Sequence, residues 1–172
     1  MEENNQSSAV DWEVVAYHEA GHGVVATALG FETESLKLVD PRVPADKLAT
    51  KADFHGPEPR SADQARQSMC NRAVYLMAGR LAETVGTGRA CPDAWPADDV
   101  QIDWWYDIIS SMSPTNCPPR GEFDADARAR AEALLAQHWP TVRAVAQELL
   151  ASREIDGRRL RDIVGRSSPE VN

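Results

Sequence analysis

The chain has 172 residues, of which 42% are hydrophobic and 26% are charged. This length and balance are typical of one folded domain with a hydrophobic core, and they exclude a disordered chain. A net charge of −9 argues against a general role in nucleic-acid binding. No apolar run approaches about 18 residues, so we expect no membrane span. The acidic N-terminus lacks the features of a signal peptide, which predicts a cytoplasmic protein.

Composition shifts along the chain predict three parts. We expect a disordered lead-in over residues 1–9, a single domain over residues 10–165 and a frayed tail over residues 166–172. The three cysteines show no CxxC spacing, so neither a disulfide scaffold nor a cysteine-based zinc site is expected.

The domain is predicted to be mainly α. Apolar periodicity, capping residues and alanine-rich stretches predict helices over residues 11–29, 61–85, 98–111, 124–138, 140–152 and 157–164. Short β-like segments predict two strands, over residues 35–39 and 51–55, which would form a small β-hairpin or short sheet.

The second predicted helix carries a start signal and an apolar stripe. Ser61 and Gln64 fit a capping box at its N-terminus. Steps of four and three residues predict one buried face, formed by Cys70, Val74, Met77, Leu81 and Val85.

The strongest local signal is His18-Glu19-Ala20-Gly21-His22, which matches HExxH inside the first predicted helix. Residues four apart lie on one helix face, so His18 and His22 can bind one metal ion. Glu19 stands beside them, where its carboxylate can reach a water on that metal. The alternative to a metal site is a structural role, in which both histidines only make hydrogen bonds in a helical core.

A catalytic zinc site needs a third protein ligand. Glu83 on the second helix and an acidic series on the third helix are candidates, the series being Asp98, Asp99, Asp103 and Asp107. The same series fits a solvated helix face with Asp98 as the cap. Spacing alone does not choose among these carboxylates.

Four segments, in chain order, resemble the peptidase domain of the FtsH-type ATP-dependent zinc proteases. They are AYHEAGHGVV over residues 16–25, AGRLAE over residues 78–83, PADDV over residues 96–100 and the final helical stretch over residues 148–160. The third stands where the family has a Gly-Ala-Ser-Asn-Asp-type segment. The likeness spans residues 10–164 and implies a helical, zincin-like peptidase fold.

The resemblance also implies a site. Carried over position by position, it implies Zn²⁺ held by His18, His22 and Asp99, with Glu19 as the general base. Glu83 is held in reserve as a third ligand, and its preferred role is to orient a histidine or the helix pair.

The expected activity is that of a zinc metalloendopeptidase that cleaves unfolded or short polypeptides. No Gly-x-x-x-x-Gly-Lys-Ser/Thr run and no membrane anchor occur in the sequence, so we expect no ATP hydrolysis by this chain. A separate ATPase partner could deliver substrates. The strand predicted over residues 51–55 could pair with substrate, and His55 could stabilise the oxyanion or be an ordinary surface residue.

The main alternative is a catalytically idle metal-binding module that regulates or binds a partner protein. The presence of Glu19 argues against it, because a purely structural zinc site has no need of that carboxylate.

Overall fold

The computed structural model describes residues 10–40, 54–89 and 95–167. Within these ranges the chain forms five α-helices and one two-stranded sheet. In chain order the elements are α1 (Trp12–Ala28), β1 (Ser35–Lys37), α2 (Ala62–Thr87), α3 (Pro96–Met112), α4 (Arg120–Ser152), β2 (Glu154–Asp156) and α5 (Gly157–Ser167). The predicted mainly α fold is confirmed.

The predicted chain ends fall mostly outside the described residues. The lead-in over residues 1–9 and the tail residues 168–172 both lie there, whereas Arg166 and Ser167 continue α5 beyond its expected end. Across the three described ranges, every helix is too short or too polar to cross a lipid bilayer.

Helix α1 lies at the centre of the fold, packed against both α2 and α4. Its N-terminus is capped by Asp11, whose side chain accepts a hydrogen bond from the Val14 backbone N–H. Eleven of its residues are buried, on nearly every side of the helix, because long neighbours cover it on two sides.

The crossing of α1 and α2 is unusually close because small residues line it. A β-carbon at Gly21 would lie 2.6 Å from the Ala78 carbonyl oxygen and 2.7 Å from the Ala82 β-carbon. Any side chain at Gly21 would therefore push the two helices apart. This contact fixes how near the HExxH segment lies to the middle of α2.

The buried face predicted for α2 is partly wrong. Val74 is fully buried, but Val85 is 62% exposed, and Cys70, Met77 and Leu81 are half-buried. The face that is buried is richer in small residues and consists of Ala73, Val74, Tyr75, Leu76, Ala78, Gly79, Ala82 and Glu83. A search for large apolar side chains misses it, because close helix packing selects alanine and glycine. The predicted Ser61 cap is confirmed, since its hydroxyl accepts from the Gln64 N–H at 3.2 Å.

The sheet joins two distant parts of the chain. Strand β1 pairs with β2 in antiparallel register, with Leu36 opposite Ile155. It is thus a short sheet and not a β-hairpin. The predicted second strand lies partly outside the described residues, and its His55 forms only an isolated antiparallel bridge with Glu32.

The two helices predicted on either side of Trp139-Pro140 are the two segments of α4, and the predicted break between them is a kink. His138 lies at this kink and has non-helical angles of φ −108° and ψ 16°. Pro140 explains the kink, because it has no N–H to donate and its ring crowds the preceding turn. Trp139, beside the kink, stacks on Tyr17 of α1 with ring centroids 5.7 Å apart.

The close α1–α2 crossing predicts a stability effect. Gly21→Ala should lower the free energy of unfolding by about 1–3 kcal/mol, because the new methyl group overpacks the crossing. Gly165→Ala on α5 is the matched control: a β-carbon there would have no atom of the described residues within 4 Å, so stability should stay the same or rise by up to about 1 kcal/mol. Urea denaturation measures both. Equal stability of the two variants would contradict the close crossing.

Candidate metal centre

Two buried histidines face each other on one side of α1. His18 is 1% exposed and His22 is 6% exposed. One helical turn separates them, and their Nε2 atoms lie 2.8 Å apart. The HExxH pattern therefore places two imidazole nitrogens at one point inside the fold.

The other nitrogen of each ring is bound by α2. His18 Nδ1 donates a hydrogen bond to Glu83 Oε1 at 2.6 Å, and His22 Nδ1 donates to the Tyr75 backbone carbonyl at 2.7 Å. A carbonyl oxygen can only accept, so Nδ1 of His22 carries a hydrogen. His18 Nδ1 is held in the same way by the Glu83 carboxyl group, so in both rings Nε2 is the nitrogen that faces the cluster.

Glu83, for which the sequence suggested an orienting role, is fully buried and contacts His18. Gly79, one turn earlier on α2, makes room for both rings. A β-carbon at Gly79 would lie 2.6 Å from His22 Nε2 and 2.9 Å from His18 Cε1. Helix α2 therefore supplies both the hydrogen-bond acceptors and the space that the imidazoles occupy.

Asp98, in the first turn of α3, completes the cluster. Its Oδ2 atom lies 3.1 Å from His18 Nε2 and 3.2 Å from His22 Nε2. Burial raises the pKa of this carboxyl, but attraction to His22 and hydrogen bonds with both histidines outweigh burial and hold the pKa well below its usual range. Asp98 is therefore an anion in a largely buried position.

Asp99, the third ligand expected from the resemblance, points elsewhere. Its carboxylate pairs with Arg80 at 3.0 Å, and its side chain is 58% exposed. Adjacent helical residues point about 100° apart, so only one of the two aspartates can face α1. The structure corrects the expectation, and Asp98 takes the place of Asp99 beside the histidines.

The three clustered side chains fit a metal ion. His18, His22 and Asp98 each offer one ligand atom, and these atoms all lie within 4.8 Å of one another. Two lone-pair nitrogens and a carboxylate oxygen at such short separations repel unless a proton or a metal cation lies among them. Two histidines and one carboxylate also form the donor set of known catalytic zinc sites.

Glu19 follows His18 directly on α1 and is half-buried. Its position on the helix is about 100° from His18, so it flanks the cluster without belonging to it. A carboxylate beside a metal site, and not bound to the metal, is what a general base requires.

His55 is not part of this cluster. It is exposed, and it borders a different cavity between the sheet and α5, with Glu32, Asp156 and Arg161 among the lining residues. None of the three clustered side chains lines that cavity. The structure thus gives no support to the substrate role considered for His55.

A second cavity does reach the cluster. It has a volume of about 450 Å³ and lies between α2, α3 and α4, with Asp98 on its wall. Apolar side chains such as Leu81 and Ile102 line it together with Arg80 and Arg128. It gives space for a ligand group next to the Asp98 carboxylate.

Sequence reasoning missed Trp95 at this site. The residue lies just before α3, and its indole ring stacks on the His18 imidazole with centroids 3.6 Å apart and planes 11° apart. The sequence contains one weak signal for it. Trp95 precedes Pro96 at the start of a helix and is three residues from Asp98, so it is expected near the groups that Asp98 contacts.

Comparisons with known proteins identify a peptidase family. The family model described as Peptidase family M41 matches residues 6–100, which contain the whole cluster. The chain is 27% identical over 192 aligned residues to the ATP-dependent zinc metalloprotease FtsH 2 of Sorangium cellulosum (strain So ce56). That alignment covers 88% of this chain and 31% of the relative, so the chain spans about a third of the relative's length.

Replacement of Asp98 and replacement of Asp99 should have different effects on metal binding. Asp98→Ala should weaken Zn²⁺ binding by more than about 100-fold, beyond the range typical for loss of an outer hydrogen-bond partner. Asp99→Ala is the matched control and should leave the affinity unchanged, because it removes only an exposed ion pair. Competition with a chromophoric chelator measures both affinities. Loss of binding in the Asp99 variant alone would contradict the geometry.

Proposed function

The chain belongs to peptidase family M41, and we propose that it is a zinc-dependent metalloendopeptidase. In this proposal His18, His22 and Asp98 hold Zn²⁺, and Glu19 is the general base. The observation that carries it is the convergence of three ligand atoms, from His18, His22 and Asp98, on one buried point.

Each residue then has a defined role in hydrolysis. A bound zinc ion would supply Lewis acidity that lowers the pKa of a coordinated water to about 7 and polarises the scissile carbonyl. Glu19 takes the proton of the attacking water and passes it to the leaving amine. Glu83 and the Tyr75 carbonyl keep the two imidazoles in the tautomer that presents Nε2 to the metal.

The burial of the ligands supports extended polypeptides as substrates. His18, His22 and Asp98 are at most 9% exposed, so the surface of a folded protein cannot reach them. An unfolded or short polypeptide can enter as a single extended strand. The cavity beside Asp98 offers space for one of its side chains.

We propose that hydrolysis of an already unfolded substrate by this chain needs no ATP. The relative's name includes ATP dependence, but this chain aligns with 31% of that protein. The residues proposed to act on the peptide bond all lie within the match to the peptidase family, over residues 6–100. A separate ATPase partner would then be needed only to unfold folded substrates.

The idle regulatory module remains the competing hypothesis. A metal site with a purely structural role is normally closed by four protein ligands. The described residues offer three at this point, with a carboxylate alongside, and this arrangement favours catalysis.

Replacement of Glu19 separates these two functions. Glu19→Gln should retain one Zn²⁺ per chain and reduce hydrolysis of unfolded casein by about 10²–10⁴-fold, because the general base is lost. Glu13→Gln, an exposed site on the same helix that pairs with Arg89, is the matched control and should keep full activity. Metal content and cleavage rate without ATP are measured together. A zinc-loaded wild type that cleaves no unfolded substrate would favour the idle module.

A further inference from the structure

Trp95 covers one face of the proposed metal site. Its indole lies almost parallel to the His18 imidazole, with ring centroids 3.6 Å apart. Three residues later, Asp98 reaches the same imidazole from the first turn of α3. The start of α3 therefore brings two groups to His18. Asp98 contacts a nitrogen of the imidazole, whereas Trp95 stacks on its face.

The indole N–H of Trp95 is buried, and no acceptor for it occurs within the part of the chain that the structure describes. It is the single buried side-chain nitrogen or oxygen among those residues with this property. A buried donor without a partner costs free energy, and such groups are rare in folded proteins, so this one requires an explanation. Simple packing does not explain it, because a phenylalanine would stack on His18 without an unpaired donor.

The position of this donor identifies the kind of acceptor that it would take. Because the indole is rigid and planar, its N–H lies in the plane of the ring that is stacked on the His18 imidazole. A peptide whose scissile bond is attacked beside Glu19 must bring its carbonyl oxygen to this region. That oxygen gains negative charge during the attack, and a donor already fixed in place stabilises such charge without reorganisation.

We propose that the Trp95 indole N–H donates a hydrogen bond to the scissile carbonyl oxygen of the bound peptide, and that this bond strengthens as negative charge develops there. The inference rests on the proposed peptidase function and deepens it. Trp95 takes the oxyanion-binding role that the sequence suggested for His55, which lines a different cavity.

Trp95→Phe tests this role, because it keeps an aromatic ring against His18 and removes the N–H together with the five-membered ring that carries it. Trp104→Phe on α3 is the matched control, since Trp104 is 55% exposed and outside the site. The zinc-loaded variants are compared in Zn²⁺ affinity, kcat and KM for an unfolded peptide, and affinity for a phosphinic peptide. The tetrahedral phosphinic oxygen of that inhibitor stands in for the charged carbonyl oxygen.

The expected result is a selective loss. In Trp95→Phe, kcat and phosphinic-peptide affinity should both fall by about 10²-fold, the lower end of what removal of one oxyanion donor costs. KM and Zn²⁺ affinity should change less than about threefold, and Trp104→Phe should match wild type. Unchanged inhibitor affinity in Trp95→Phe would overturn the inference. So would a fall in Zn²⁺ affinity that accounts for the lost activity, because Trp95 would then act only by holding His18.

A spectroscopic measurement reports the hydrogen bond directly. The chain has five tryptophans, and the indole N–H resonance absent from Trp95→Phe identifies that of Trp95. In wild-type protein loaded with zinc, this resonance should move downfield when the phosphinic peptide is added. No movement on saturation would overturn the inference. Wild-type protein that shows the shift but cleaves no peptide would instead overturn the proposed function and retain Trp95 as a ligand-binding residue.

Discussion

The close approach of α1 to α2 is the constraint on which the rest of the site depends. Gly21 contacts Ala78 and Ala82 at the crossing, and Gly79 leaves the space that the two imidazoles fill. Larger residues at these positions would push the two helices apart. The hydrogen bonds from His18 to Glu83 and from His22 to the Tyr75 carbonyl would then be lost, and with them the fixed orientation of both rings.

Burial makes the electrostatics of this arrangement demanding. His18, His22, Glu83 and Asp98 are all at most 9% exposed, and charges in such positions require partners. Asp98 and Glu83 bring two carboxyl groups to the histidines, and the proposed Zn²⁺ would offset negative charge at this point.

Local patterns in the sequence were enough to predict much of the fold and part of the candidate site. The HExxH spacing, the Ser61 cap and the long second helix depend on residues near one another in the chain, so periodicity predicts them. The orienting role suggested for Glu83 stays a prediction, and Glu83 lies in contact with His18. The long-range pairing of β1 with β2 was missed, because β2 is only three residues long and its partner lies far away in sequence.

The choice between Asp98 and Asp99 shows where sequence reasoning stops. The two residues are adjacent and chemically identical, and the rotation of α3 about its axis decides which one faces α1. That rotation depends on packing against α2, with Arg80 holding Asp99 on the outer side and Ile102 buried one turn after Asp98. The resemblance matched the segment correctly but its register suggested Asp99. Trp95 was missed for the same reason, since its stacking on His18 depends on tertiary structure.

Anomalous diffraction at the zinc edge, from crystals of the zinc-loaded protein, tests the central claim most directly. We predict one anomalous peak bound by His18 Nε2, His22 Nε2 and the Asp98 carboxylate, at about 2.0–2.2 Å from each, with Asp99 still paired with Arg80. A peak bound by Asp99 or Glu83 in place of Asp98, or no peak between the two histidines, would contradict it.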